Sequence, residues 1–262
     1  MPEGHTIHRV ARDHHKRYAG QELAVSSPQG RFKAGARNLD GATLDRVEAY
    51  GKHLFYWWDG GRVLHIHLGL YGKFRNHRSP APEPRGAVRL RVVGRSHAFD
   101  LNGPTACELI SADGHGTIIA RLGADPLHRG ADVEQAWQRI SRSRAAVGKL
   151  LLDQSVIAGV GNVYRAEALF ANRLNPERAG HTLNRKEFDS LWQTLVAMLR
   201  AGVKYNRIVT VDPRSVGKAA RHMSRTERLL CYKKEFCPRC DAEIKVWELG
   251  ARTMYACPVC QR

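Results

Sequence analysis

Four of the six cysteines fall in two Cys-x-x-Cys pairs near the C-terminus, Cys237 with Cys240 and Cys257 with Cys260, sixteen residues apart. Nothing else in the chain limits its folding so tightly. A four-thiolate site requires both pairs to meet around one tetrahedral ion, and two residues between cysteines let both sulfurs of a pair reach it. The intervening "EIKVWELGARTMYA" has strand composition around a glycine, which predicts a two-stranded zinc ribbon. With sulfur at all four positions, no coordination site remains for activated water, so the Zn2+ expected at Cys237, Cys240, Cys257 and Cys260 is structural. Cys107 and Cys231 lie outside the quartet and read as small buried apolar side chains.

Metal-type cysteine usage points to a reducing compartment. The first twenty residues hold no apolar run of signal-peptide length, and no stretch approaches a membrane span. The protein is therefore expected in the cytoplasm, with the nucleoid, acting as a monomer and without a membrane partner. Its 42 Lys and Arg against 25 Asp and Glu give a formal net charge of +17, spread along the chain. Solubility needs a magnitude of only about 2–8 in a small domain, so the excess points to a polyanion, and nucleic acid ahead of a membrane surface.

At 262 residues the chain can bury one large core or two modest ones. Ile7, Val10 and Ala11 recur at helical spacing in a short amphipathic helix that stops near Gly20. From about Glu22 to Ile119 the period is that of strands. "KHLFYWW" and "RVLHIHL" flank "DGG" as a hairpin, and "AVRLRVV" and "CELI" continue the signal of a sandwich. Beyond "ARLGADPLHRGADVEQ" the pattern turns helical, in "DVEQAWQRISR", "AAVGKLLLDQSV", "VYRAEALFANRL" and "RKEFDSLWQTLVAMLRAGVKYN". Val211 to Arg228 reads as a mobile basic loop. The expected domains are a β-sandwich over 1–119, a linker over 120–130, a helical domain over 131–228 and the ribbon over 229–262. The fold class is α+β. The "HIH" at His65 to His67 fits strand alternation and reads as structural.

Two short stretches carry the chemistry. In "LLDQSVIAGVGNVYRAEALF" a helix ends at Ile157, the chain turns through Gly159 and Gly161, and a new helix opens with Asn162 as its N-cap. Its N-terminal amides form an anion cradle, which on so basic a chain suits a DNA phosphate. The opening "PEG" places Pro2 and Glu3 directly behind the initiator. That is a sound helix start, but removal of Met1 would also expose a secondary amine that no other residue type supplies from the backbone.

Taken together, "PEG", "GKHLF", "LLDQ…AGVGNVYRAEALF" and the closing "CPVCQR" resemble the formamidopyrimidine-DNA glycosylase and endonuclease VIII family of base-excision repair, in its endonuclease VIII-like branch. The resemblance spans nearly the whole chain. It implies a β-sandwich with an N-terminal helix, followed by a helical domain with a helix-two-turn-helix and a zinc ribbon. The implied activity is that of a bifunctional glycosylase and abasic-site lyase acting on damaged DNA. The Pro2 amine would form a Schiff base with the sugar. Glu3 would act as acid and base, while Lys52 would bind the phosphate by the lesion and assist β-elimination. Arg252 would grip phosphates and assist δ-elimination. Leu70 and Tyr71 match the void-filling wedge, and Arg121 and Asn162 the contacts to the DNA backbone. Lys149, Arg165 and Glu167 match residues near the helical turn and read as structural pairing or phosphate contact.

Three departures bear on specificity. Many members open "PELPE" or "PEGPE", whereas His5 and Thr6 stand here, and Thr6 does not titrate usefully. Gly69 occupies the place of a wedge glutamine. The 211–228 segment does not resemble the long lesion-capping loop of the formamidopyrimidine branch, which favours oxidised pyrimidines. The alternative reading is a binder of abasic or damaged DNA that has lost turnover or keeps lyase activity alone.

Overall fold

The computed structural model describes residues 2–262, so Met1, on whose removal the covalent reading depends, lies outside the described residues. The chain divides into two compact units, one holding Pro2 and Ile7–Arg121, the other Glu3–Thr6 and Leu122–Arg262.

In the first unit the helical spacing of the opening produces α1, Gly4–Tyr18, which buries Ile7, Ala11 and Tyr18. There follow β1 (Gln21–Glu22), β2 (Ala24–Ser26), α2 (Lys33–Leu39), β3 (Thr43–Tyr50) and β4 (His53–Trp58). Then come β5 (Arg62–His67), β6 (Lys73–Arg78), β7 (Val88–Val93), β8 (His97–Asn102), β9 (Ala106–Ile110) and α3 (Ala112–Ala120). Two antiparallel sheets result, ordered β1-β3-β4-β5-β9 and β2-β7-β8-β6. Strict alternation in β7 buries Val88, Leu90 and Val92, of which Leu90 and Val92 join Leu54, Tyr56, Leu64, Phe99 and Leu101 in one core. Each such side chain contributes about 1.5–3 kcal/mol by leaving water.

The strand reading overran at its end. Residues 112–120 form α3, hidden by its two glycines and nucleated by Ser111, whose hydroxyl accepts from the Gly114 amide at 3.1 Å. His115 of α3 packs edge-on against Phe55 and Trp57, which explains why β4 is apolar on both faces. α2 likewise interrupts the expected run of strands.

The second unit contains α4 (Val133–Ser141), the single turn α5 (Val147–Leu150), α6 (Asn162–Ala171), α7 (Arg185–Tyr205) and α8 (Pro213–Val216), then β10 (Lys245–Glu248) and β11 (Thr253–Ala256). α7 opens with a complete capping box between Asn184 and Glu187. The helix expected to reach Ile157 stops at Leu150, and residues 151–161 follow as an irregular turn. Gln154 organises that turn, donating to the Leu152 and Val160 carbonyls and accepting from the Gly159 amide at 3.0 Å. Val211 to Arg228 is not featureless, for it holds α8 and a 3₁₀ turn at Ala220–His222. β10 and β11 pair antiparallel as the ribbon. None of the described helices is long and apolar enough to cross a membrane.

Candidate active site

Two corrections to the sequence reading define the chemistry of the second unit. Asn162 is the first residue of α6, not its cap; Gly161 is the N-cap and offers no side chain. The anion seated on the helix N-terminus is the carboxylate of Glu3, not a phosphate. Glu3 is 1% exposed and accepts from the amides of Gly161 at 3.1 Å, Val163 at 2.9 Å and Tyr164 at 3.4 Å. Backbone donors and the helix dipole together stabilise the ionised form. A Cβ on Gly161 would lie 2.4 Å from Glu3 Cδ, so glycine serves there by admitting the carboxylate.

The same helix holds the ribbon. Gly250 and Ala251, at φ +67° and +55°, make the tight turn between β10 and β11 and set Arg252 at its end, with the Leu249 amide donating to the Arg252 carbonyl at 3.0 Å. Buried Arg165 donates to the carbonyls of Gly148, Leu249, Arg252 and Thr253 and to Asn162 Oδ1. Burial pulls Arg165 down to about 10, leaving it charged at neutral pH. Asn162 Nδ2 donates to the Thr253 carbonyl at 2.8 Å, so its side chain faces the ribbon rather than capping the helix. One turn further, Glu167, also fully buried, accepts from the amides of Leu230, Cys231 and Tyr232 and from the Thr210 hydroxyl. Arg165 and Glu167 thus pair mainly with backbone, Arg165 also with Asn162 and Glu167 also with Thr210. Lys149 is exposed, its side chain beside Gly250. Glu3 and the Arg252 carbonyl both contact α6, which Asn162 opens, and Arg252 is exposed.

The four cysteine sulfurs lie within 4.8 Å of one another, with Sγ pairs at 3.9 Å for Cys237 and Cys260, and 3.5 Å for Cys240 with either Cys257 or Cys260. A tetrahedral ion with bonds of about 2.3 Å sets sulfurs about 3.8 Å apart, so the quartet fits Zn2+. Amides of Arg239 and Cys260 donate to Cys237 and Cys257 sulfurs, as thiolates favour. Cys231 is buried, Cys107 half-buried, and burial raises both thiols.

The first unit brings Lys52 and Arg121 to one end of a sheet. Lys52, half-buried, lies in the turn between β3 and β4 rather than on a strand. His53, next in sequence, shares a hydrogen bond of 2.9 Å with His65, which is linked to Glu108 at 3.0 Å. Burial first, then His67, His65, Arg121 and Lys52, hold His53 down to about 3. The histidines are therefore more than alternation residues, a cluster visible in sequence only once β4, β5 and β9 are registered.

Leu70 and Tyr71 sit in the turn between β5 and β6, 47% and 83% exposed, where apolar surface meets water without a partner fold to bury it. Gly69 has φ +63°, and a Cβ there would lie 1.9 Å from Thr105 Oγ1, which excludes a longer residue in this backbone.

Residues 1–102 match the formamidopyrimidine-DNA glycosylase N-terminal domain, and 122–213 its H2TH domain. Endonuclease 8 1 of Mycobacterium tuberculosis is 45% identical over the whole of both chains. The chain belongs to the formamidopyrimidine-DNA glycosylase and endonuclease VIII family. Its relatives within that family include a formamidopyrimidine-DNA glycosylase of Thermomicrobium roseum, 32% identical over 86% of this chain and 84% of that protein. The fold is shared with Lactococcus lactis Fpg in complex with abasic-site DNA, at TM-score 0.82 and 23% identity, covering 99% of each chain. The α+β architecture, with its N-terminal helix, sheets, helical H2TH domain and cysteine cluster, is that of these DNA repair glycosylases.

Proposed function

We propose that the chain is a bifunctional DNA glycosylase and abasic-site lyase of base-excision repair that removes oxidised pyrimidines. The observation that carries this is Glu3, whose buried carboxylate is fixed on the α6 amides immediately after Pro2. Once Met1 is removed, Pro2 presents a secondary amine with a reference pKa of about 7.7–8.0, so a useful fraction is unprotonated at neutral pH. Its nitrogen bonds to C1′ of the damaged nucleoside as the bond to the base breaks, and the sugar opens to an iminium. Ionised Glu3 first takes the proton of the Pro2 ammonium and then returns it to the sugar or the departing base. Loss of a C2′ proton expels the 3′ phosphate in β-elimination. Lys52 holds that phosphate, and Arg252 holds those whose departure completes δ-elimination. Arg121 and Asn162 fix the backbone beside the lesion, and Leu70 and Tyr71 fill the space of the extruded nucleotide. Zn2+ on Cys237, Cys240, Cys257 and Cys260 folds the ribbon that aims Arg252. The units serve as a catalytic sandwich (1–119), linker (120–130), helical domain (131–228) and ribbon (229–262) in a cytoplasmic, nucleoid-associated monomer.

The test is borohydride reduction of Met-processed protein with oligonucleotides carrying thymine glycol, 8-oxoguanine or an abasic site. A covalent adduct on the first and third is expected, and is lost when Met1 is retained so that the Pro2 nitrogen is an amide. Tight, salt-sensitive binding without adduct or scission would leave a damaged-DNA binder instead.

A further inference from the structure

We propose that His5 is a positioning residue for this chemistry: its ring, keyed into a notch that α7 opens at Gly202, docks residues 3–5 on α6 so that Glu3 and its neighbour Pro2 are presented in one geometry. The docking stands on the contacts below, while its purpose rests on the function proposed above.

His5 and Thr6 replace the Pro–Glu pair of many relatives, and His5 does not stand in for the missing acid. It is 5% exposed and lies edge-on to fully buried Tyr164, with ring centroids 5.3 Å apart at 78°. Thr6 Oγ1 holds its Nε2 at 3.2 Å. Burial, then the positive charge of Arg228, press the ring down to about 4, so it packs as a neutral group at physiological pH. A Cβ on Gly202 would come 2.1 Å from Tyr164 Oη and 2.8 Å from His5 Cβ, so only a glycine in the last turn of α7 admits the ring. Gly4 is fitted just as closely. Its amide donates to the Gly159 carbonyl at 2.8 Å, and a Cβ there would lie 3.0 Å from Gly159 Cα. Tyr164 connects these contacts to the chemistry, because its ring receives His5 while its amide donates to Glu3.

The experiment compares wild type with Gly202→Ala, which fills the notch and leaves Pro2, Glu3 and His5 in place, and with His5→Ala, which empties it. Two readouts are taken: amide hydrogen exchange at Val163 and Tyr164 in DNA-free protein, and single-turnover formation of the borohydride-trapped adduct at saturating abasic DNA. Both variants are expected to raise exchange at these amides at least tenfold over that of amides in the middle of α7. Both should slow adduct formation at least tenfold, with Kd for DNA within twofold of wild type. Unchanged exchange in His5→Ala would overturn the docking. Loosened amides with an undiminished adduct rate would overturn its catalytic purpose. If wild type itself forms no adduct, the covalent reading falls and this purpose with it, while the exchange data still decide the docking.

Discussion

At the candidate site the two units treat charge differently. In the second, Glu3, Arg165 and Glu167 are almost wholly withdrawn from water, and each is held by several backbone groups along a single helix. In the first, the cations expected to meet DNA, Lys52 and Arg121, stay half-buried or exposed, beside His53, which burial keeps neutral. Burying an ion is tolerable when most of its hydrogen-bonding capacity is met, and an ion held by several fixed partners becomes a rigid anchor. A contact that must adapt to a bent duplex gains from remaining wet. The seat of Glu3 in the second unit is therefore fixed in advance, whereas Lys52 and Arg121 in the first remain in reach of water.

The largest test of that contrast is removal of the metal. Structural Zn2+ sites contribute about 10–16 kcal/mol to small modules, so chelation should unfold residues 229–262 and release Arg252. Circular dichroism and DNA binding should show the ribbon and affinity lost while the sheets of the first unit persist. Unfolding of both units together would break the comparison.

Next in size is the anchor itself. Glu167→Ala strands the amides of Leu230, Cys231 and Tyr232 and should cost about 3–5 kcal/mol, read as a lower denaturation midpoint. Lys52→Ala, at a half-buried turn position, should barely move that midpoint while slowing strand scission. Equal destabilisation by the two would contradict the division.

A smaller effect should appear with pH in the first unit. His14 is 1% exposed, pairs with the Tyr56 hydroxyl at 2.7 Å and with Asn76, and burial holds it down to about 3 from 6.5. Its folded pKa lies below its unfolded value, so its contribution is complete above about 6.5 and is lost as pH falls toward 3, because the unfolded chain binds the proton first. The slope is about 1.4 kcal/mol per pH unit. Urea midpoints between pH 7 and 4 should show a dependence shallower by one proton in His14→Gln; an unchanged slope would place the proton elsewhere.

Least disturbing to the fold is the exposed turn. Leu70→Ala and Tyr71→Ala should shift stability by no more than about 0.5 kcal/mol. Both should still slow release of a paired damaged base more than nicking at a single-stranded abasic site.

The contrast also explains what could be read in advance. The zinc ribbon, the α1 helix and the β4–β5 hairpin are written in local spacing, and the cysteine pairs are legible because metal ligation dictates a fixed interval. The seat of Glu3 is not, since the amides it meets lie 158 or more residues away, and nothing near Gly161 names its occupant. Asn162 looked like a cap because its residue type favours capping, yet the Thr253 carbonyl claims its amide. α3 escaped notice because its glycines weaken the helical signal, while Ser111 and its packing on β4 and β5 supply what propensity lacks. Residue types at the candidate site were visible in sequence, whereas the partners that orient them are long-range products of folding.

The most direct check on the covalent role of Pro2 is peptide mass spectrometry of the borohydride-reduced protein–DNA adduct. The sugar remnant should sit on the nitrogen of an N-terminal Pro2 with Met1 absent. A remnant on a lysine, or full strand nicking by protein that keeps Met1, would contradict it.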